Sequence, residues 1–294
     1  MMCEAFARLS AFYPVSQFQY VGYGSTSFAD FVLVHRMLGI FRMVSIERQE
    51  QAKARFRLNA PFDCIDIKFG ESTDVLPDID LKSQSIIWLD DDQALTKSVL
   101  RDINYVIASM AAPSVFVISV NASPWSELAP DPKIASKRLE KLKEAVGEGA
   151  IPPSTTGISL QGWGTARVYY EIIADAIKSA AADRAVVDGT VHKQLFHFRY
   201  QDGAKMLTVG GVLLRAEDAA AFDAAGFEKL FFVRNSAEPF HIKVPVLTFR
   251  EMRYLDQLLP EGRARLPEGL FPESDVDEYA VIYRYFPLYA ETDL

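Results

Sequence analysis

Three short apolar runs between Tyr20 and Asp92 limit the fold more than any other feature of this chain. Arg42 to Ile46 (RMVSI) stops at Glu47, Cys64 to Ile67 (CIDI) stops near Gly70, and Ser85 to Leu89 (SIIWL) stops at Asp90, Asp91 and Asp92. Helical patterns separate the runs. Strands alternating with helices build βαβ units, whose parallel sheet is covered on both faces. Sheets of this kind bind ligands outside the carboxyl ends of their strands. The polar residues after each run are therefore the first candidates for a site.

Gln17 to Val21 reads as the first strand, followed by Gly22-Tyr23-Gly24-Ser25. Ser27 to Leu38 reads as a helix with Phe28, Phe31, Val32, His35 and Leu38 near one face and Gly39 as its C′ residue. The two glycines let the backbone turn sharply and let a ligand approach the main chain, while the helix N-terminus adds free N–H groups. A tight βα turn without a ligand explains them equally well. Glu47 follows Gly24 by 23 positions, where nucleoside binders place an acid on the ribose hydroxyls. An exposed acid complementing the next helix is the alternative. Asn59-Ala60-Pro61-Phe62 reads as a helix stop. Asp90, Asp91 and Asp92 repel one another unless they are solvated, bonded or near a cation. A solvated turn with Asp92 capping a helix from about Ala94 accounts more easily for one aspartate than for three.

Leu95 to Ala111 is an amphipathic helix, and Ser114 to Val120 is a fifth strand ending at Asn121. Pro124 to Pro132 is a loop containing Trp125. Gly147 to Gly164, rich in Gly, Pro, Ser and Thr, reads as a flexible segment or lid, with Trp163 either a substrate platform or a buried anchor. Gln194 to Tyr200 and Met206 to Leu214 flank Asp202-Gly203, a hairpin signal. Further strands are expected at Phe227 to Arg234 and His241 to Val246. A helix is expected at Thr248 to Leu259, where Thr248 and Glu251 form a capping box. Tyr279, Tyr283, Tyr285, Phe286 and Tyr289 read as a packing strap, with a homo-oligomer contact left open. His35, His192, His197 and His241 are poorer candidates for chemistry than the carboxylates, and His35 and His197 read as structural.

A net charge of −8 argues against a protein whose main task is gripping nucleic-acid backbone, without excluding a local basic patch. The two cysteines, Cys3 and Cys64, form no CxxC pair. A structural zinc site and a disulfide framework are therefore not expected, and a cytoplasmic setting fits. The N-terminal stretch MMCEAFARLS has no long apolar region, so no signal peptide is expected, and no apolar run is long enough to span a bilayer.

Five parallel strands followed by a hairpin, carrying four short motifs in order, resemble the class I S-adenosylmethionine-dependent methyltransferases, with the catechol-type O-methyltransferases closest. The motifs are Val21-Gly22-Tyr23-Gly24-Ser25, Ser45-Ile46-Glu47, Gly70-Glu71-Ser72 with Leu76-Pro77, and Ile87-Trp88-Leu89-Asp90. The match covers roughly residues 17 to 214. It implies an α/β, Rossmann-like, mostly parallel seven-stranded sheet ending in an antiparallel hairpin (residues 1–225). A C-terminal α+β extension (226–294) would pack on it or on a partner subunit. It also implies that Gly22, Tyr23, Gly24 and Ser25 face the methionine part of the cofactor, that Glu47 holds the ribose, and that Glu71 or Ser72 lies beside the adenine. Asp90 would face the methyl group or a divalent metal, with Asp91, Asp92 and Asn121 behind it as catalytic candidates. Three departures stand out. Tyr20 occupies the usual acidic position, Thr26 replaces a third glycine, and Val120-Asn121 replaces an Asp-Asn metal pair. A full metal site would then need Asp91 or Asp92. The expected activity is O-methylation of a small molecule. Its rival is a methyltransferase-like scaffold that binds a nucleoside ligand or a partner protein without turnover. A nicotinamide-dependent oxidoreductase is disfavoured by the hairpin.

Overall fold

The computed structural model describes residues 1–123, 132–261 and 269–286. The expected loop around Trp125 and the tail beyond Phe286, with Tyr289, lie outside them. In chain order the elements begin with α1 (Met2–Ala7), β1 (Gln19–Tyr23), α2 (Ala29–Leu38), β2 (Arg42–Glu47), α3 (Lys53–Asn59), β3 (Ile65–Phe69), α4 (Ser72–Val75) and β4 (Ser85–Ala94). There follow α5 (Lys97–Ser109), β5 (Ser114–Asn121), α6 (Pro132–Val146), α7 (Gly164–Asp188), β6 (Val191–Asp202), β7 (Ala204–Leu214), α8 (Ala219–Ala225), β8 (Phe240–His241), α9 (Phe249–Asp256) and α10 (Glu273–Ile282).

One sheet takes the order β3-β2-β1-β4-β5-β7-β6-β8. β1 to β5 pair in parallel, and β7 pairs antiparallel with both β5 and β6. The seven expected strands are present, and the two-residue β8 adds an eighth. The parallel strands are legible because a strand buried on both faces is apolar throughout: β5 is buried from Ser114 to Val120. Its side chains Phe116, Ile118 and Val120 join Val99, Ile103 and Val106 of α5 and Tyr169, Ile172 and Ile173 of α7 in the main core.

Several local expectations are corrected. β4 runs past Leu89 through all three aspartates to Ala94, with an irregularity between Asp90 and Ala94. Such a bulge re-aims side chains at a strand end. The cap of α5 is Thr96, whose Oγ1 accepts from the Val99 amide, and not Asp92. In α2 the buried positions are Phe31, Val34 and Leu38. The turn into α2 begins at Phe28, which takes φ +48°. Phe227 to Arg234 forms a 3-10 turn and irregular backbone, and β8 is the one strand pairing in Phe240 to Val246.

Two compact units are present, Met1–Phe240 and His241–Leu294. In the second, Thr248 and Glu251 form the expected capping box on α9. Leu255, Val276 and Tyr279 make a small core, and the Tyr279 hydroxyl donates to Asp256 Oδ1 at 2.8 Å. The aromatics Tyr279, Tyr283 and Tyr285 lie on α10 and the turn after it. The strand content expected of the 226–294 extension is limited, among the described residues, to Phe240–His241. No helix of the described residues is long and apolar enough to cross a membrane.

Candidate functional site

The carboxyl ends of β1, β2 and β4 bring most of the sequence-predicted residues together. In-register pairing sets Gly22 beside Ser45 on one side and Trp88 on the other. Side chains alternate along a strand, so Ser45 and Glu47 share a face. Ser45 Oγ donates to Glu47 Oε1 at 3.1 Å. Gly24 closes over them. A Cβ placed there would stand 1.7 Å from Glu47 Oε1 and 2.3 Å from Ser45 Oγ. Only glycine lets the strand end lie flush on that carboxyl group. Glu47 is 3% exposed, and burial pushes its pKa up to about 7, against the hydrogen bond from Ser45.

Tyr20 is fully buried, and its hydroxyl donates to Asp30 Oδ2 at 2.5 Å. Asp30 lies in the first turn of α2, and its carboxylate stands 3.3 Å from where a Gly22 Cβ would be. Burial raises its pKa to about 6, while the Tyr20 bond opposes the rise and Asp90 adds repulsion. Position 20, where the resemblance expects an acid, thus carries a tyrosine bonded to the acid Asp30. Sequence reasoning missed it because an acid in a first helical turn is the common complement to the dipole. The buried tyrosine hydroxyl was the available signal, since such a group needs a partner.

Asp90 faces Ser119 across β4 and β5. Asp90 is exposed, yet the atoms packed around its carboxylate raise its pKa; the hydrogen bond from Ser119 opposes, and Asp91 and Asp92 add repulsion. Ser119 Oγ also lies 3.0 Å from Trp88 Nε1 and 2.9 Å from Thr208 Oγ1. Trp88 can only donate. If Ser119 spends its one proton on Asp90, Thr208 donates to Ser119, and all three bonds are satisfied.

The other carboxylates separate from Asp90. Asp91 Oδ1 accepts from the Gln93 amide and Asp92 Oδ1 from Gln93 Nε2, both at 2.9 Å. Burial raises the Asp91 pKa, while the Gln93 bond and Arg48 oppose. Asn121 stands opposite Ala94, and its Oδ1 accepts from the Ser123 amide at 2.8 Å. Among the described residues no group of three or more His, Cys, Asp or Glu could hold a metal ion. That donor set does not fit a divalent site.

On the opposite face Ser72 Oγ donates to Asp102 Oδ2 of α5, and the Tyr23 hydroxyl bonds to both. Asp102 is 2% exposed and its pKa is raised by burial. It too escaped sequence reasoning, although it sits three residues after Val99 within the apolar stripe of α5. Glu71 is exposed, just before α4, and the Ser25 and Ser27 hydroxyls meet at 2.8 Å on the surface. A recess of about 390 Å³ lined by Thr73, Asp74, Leu76, Arg101, Asp102 and Tyr105 lies beside α4; of the motif residues it holds only Leu76, and none of the candidate site residues.

A family model described as "Putative O-methyltransferase" matches residues 1–294. No curated protein matches the chain. Solved structures similar to it include cofactor-bound Rv0187 from MTB, at 13% identity over 72% of this chain and 79% of that one, with a TM-score of 0.39. The O-methyltransferase TomG from Streptomyces achromogenes, involved in tomaymycin synthesis and solved in complex with SAM, gives the same four values. An O-methyltransferase from Bacillus cereus in complex with SAH matches at 15% identity over 71% of this chain and 80% of that one, with a TM-score of 0.39.

Proposed function

This chain belongs to the O-methyltransferase family whose model spans all of it, and from that premise we propose that it transfers the methyl group of S-adenosylmethionine to a hydroxyl oxygen of a small molecule. The observation that carries the reading is the Gly24–Glu47 contact, an acid at the end of β2 held flush against the end of β1. The residues fit such a cofactor: Glu47 suits the two ribose hydroxyls, the Gly22 to Ser25 backbone suits the methionine part, and Glu71 and Ser72 suit the adenine edge. The group supplies an electrophilic methyl on sulfonium. The chain supplies alignment, which can account for a large part of the acceleration, and a proton acceptor. Asp90 takes that role, because a carboxylate of raised pKa is a stronger base. Ser119 holds it in place, and Asp91, Asp92 and Asn121 shape the wall behind it.

Calorimetric titration with S-adenosylmethionine and S-adenosylhomocysteine, with NAD as control, tests the reading. Micromolar binding of the first two supports it. Binding of neither would favour a scaffold without turnover. Glu47→Ala is expected to weaken cofactor binding by about 1–3 kcal/mol, the range for losing a charged hydrogen-bond partner; unchanged affinity in a folded variant would remove Glu47 from the site.

Glu47 also sets a pH dependence. Its pKa is raised in the fold, so it favours folding below its unfolded value of about 4.5, and that contribution is lost as pH rises through about 7. The shift is worth at most about 3 kcal/mol, and residual water access reduces this. Asp30, raised to about 6, acts in the same direction. The ligand-free protein should therefore lose Tm between pH 5 and pH 8, and Glu47→Gln should flatten that slope. A thermal-melt series in which the variant keeps the full slope would refute the assignment.

A further inference from the structure

Three segments at the ends of the parallel strands carry the residues that suit the cofactor: the turn Gly22 to Ser25 after β1, Glu47 at the end of β2, and Gly70 to Ser72 after β3. The main chain ties them neighbour to neighbour. The Gly24 amide donates to the Ile46 carbonyl at 3.4 Å, and the Gly70 amide to the Glu47 carbonyl at 2.9 Å. A second tie comes from the other face of the sheet. Side chains alternate along β1, so Tyr23 lies on the face opposite Gly22 and Glu47, against the core that holds Val21, Val99 and Ile103. There its hydroxyl bonds to Ser72 and to Asp102 of α5. Ser72 Oγ donates to Asp102 Oδ2.

One buried carboxylate thus gathers two hydroxyls that arrive from two different segments. A carboxylate within the apolar stripe of α5 is a costly choice for packing alone. An apolar residue of similar size would fill the place without taking a charge out of water. What the carboxylate adds is direction, because it accepts from donors on both sides and fixes the turn after β1 relative to the start of α4. Arg101 attracts it and Asp91 repels it. Ser72 has one hydroxyl proton and gives it to Asp102, so as a donor that hydroxyl serves the joint and not a ligand.

We propose that Asp102 is a positioning residue for cofactor binding. Through Tyr23 and Ser72 it holds the segment that suits the methionine part and the segment that suits the adenine edge at the spacing the cofactor needs. This rests on the methyltransferase reading above. Asp102 acts from the face away from Glu47, through those two side chains. Segments that are ordered before the ligand arrives lose less freedom on binding, and the difference appears as affinity.

The test is calorimetric titration with S-adenosylmethionine and S-adenosylhomocysteine of the wild type, Tyr23→Phe, Asp102→Ala and the double variant, with a thermal melt of each. Tyr23→Phe removes one hydroxyl and keeps the ring in the core. It should stay folded and bind roughly 10-fold more weakly, the scale of one hydrogen bond to a charged group. Both ligands should weaken by the same factor, because the joint fixes the segments and does not sense the sulfonium charge. Asp102→Ala should weaken binding at least as much, and Tyr23→Phe should add little in that background. Asp102→Asn, which keeps an acceptor, should recover part of the loss. Should Asp102→Ala fail to fold, Tyr23→Phe and Asp102→Asn with their double variant make the same comparison. A purely structural joint would lower Tm in the variants and leave affinity intact, and that result overturns the proposal. Losses that multiply in the double variant also overturn it, since the two groups would then act separately. A wild type that binds neither ligand would sink the methyltransferase reading and this inference with it, whereas unchanged variants of a protein that does bind would sink this inference alone.

Discussion

Gly24→Ala should abolish measurable cofactor binding and lower stability together. The new methyl group would lie 1.7 Å from Glu47 Oε1, 2.3 Å from Ser45 Oγ and 2.9 Å from Glu47 Cδ. The Glu47 carboxyl could swing away on its flexible stem, but Ser45 is fully buried and short, so it cannot. The end of β1 must then lift from β2, or both side chains must leave their places. Overpacking of this kind costs roughly 1–3 kcal/mol, which for a chain of this size lowers Tm by several degrees. The larger effect is on the ligand, because displacing Glu47 removes the acceptor for the ribose and moves the adjoining backbone at once. A loss beyond the roughly 1–3 kcal/mol expected for Glu47→Ala alone is therefore expected. Calorimetry and melting curves on Gly24→Ala, Glu47→Ala and the double variant measure this. In the Glu47→Ala background the added methyl should cost somewhat less stability, since its closest obstacle is gone while Ser45 remains 2.3 Å away. Equal costs in both backgrounds would mean that Ser45 or the turn, and not the carboxyl group, requires Gly24.

The sheet was legible because parallel strands buried on both faces leave apolar runs that polar residues interrupt only at their ends. RMVSI and SIIWL lie within β2 and β4, and the Asp202-Gly203 signal marks the hairpin. The site was legible only where one strand end holds the residue, as with Glu47 and Asp90. Asp30 and Asp102 were not, since each sits on a helix whose sequence gives an ordinary reason for an acid. Their burial arises only when Tyr20 and Ser72 arrive from other elements. Asp91 and Asp92 were ambiguous for a related reason. The irregularity after Asp90 separates three adjacent aspartates into different surroundings, and repulsion between neighbours in sequence does not reveal how a bulge will turn them.

Asp90→Asn should leave the cofactor bound and remove turnover. The amide keeps the size of the carboxylate and can still accept from Ser119, so the groups around it need not move. It cannot take a proton. General-base catalysis contributes about 10²–10⁴-fold, and a kcat loss in that range with unchanged S-adenosylmethionine affinity is the expected result. The pH profile gives a second readout. In the wild type the rate should fall as pH drops through the raised pKa of Asp90, because the ionised form is the active one. Ser119→Ala removes a bond that stabilises the ionised form, so that acid limb should move to higher pH, with a smaller loss in kcat. Asp92→Asn should do the reverse, because relief of repulsion favours ionisation. If Asp90→Asn retained full activity, the base would have to be sought elsewhere at the strand ends, and Asp30, whose carboxylate repels Asp90, would be the next group to replace.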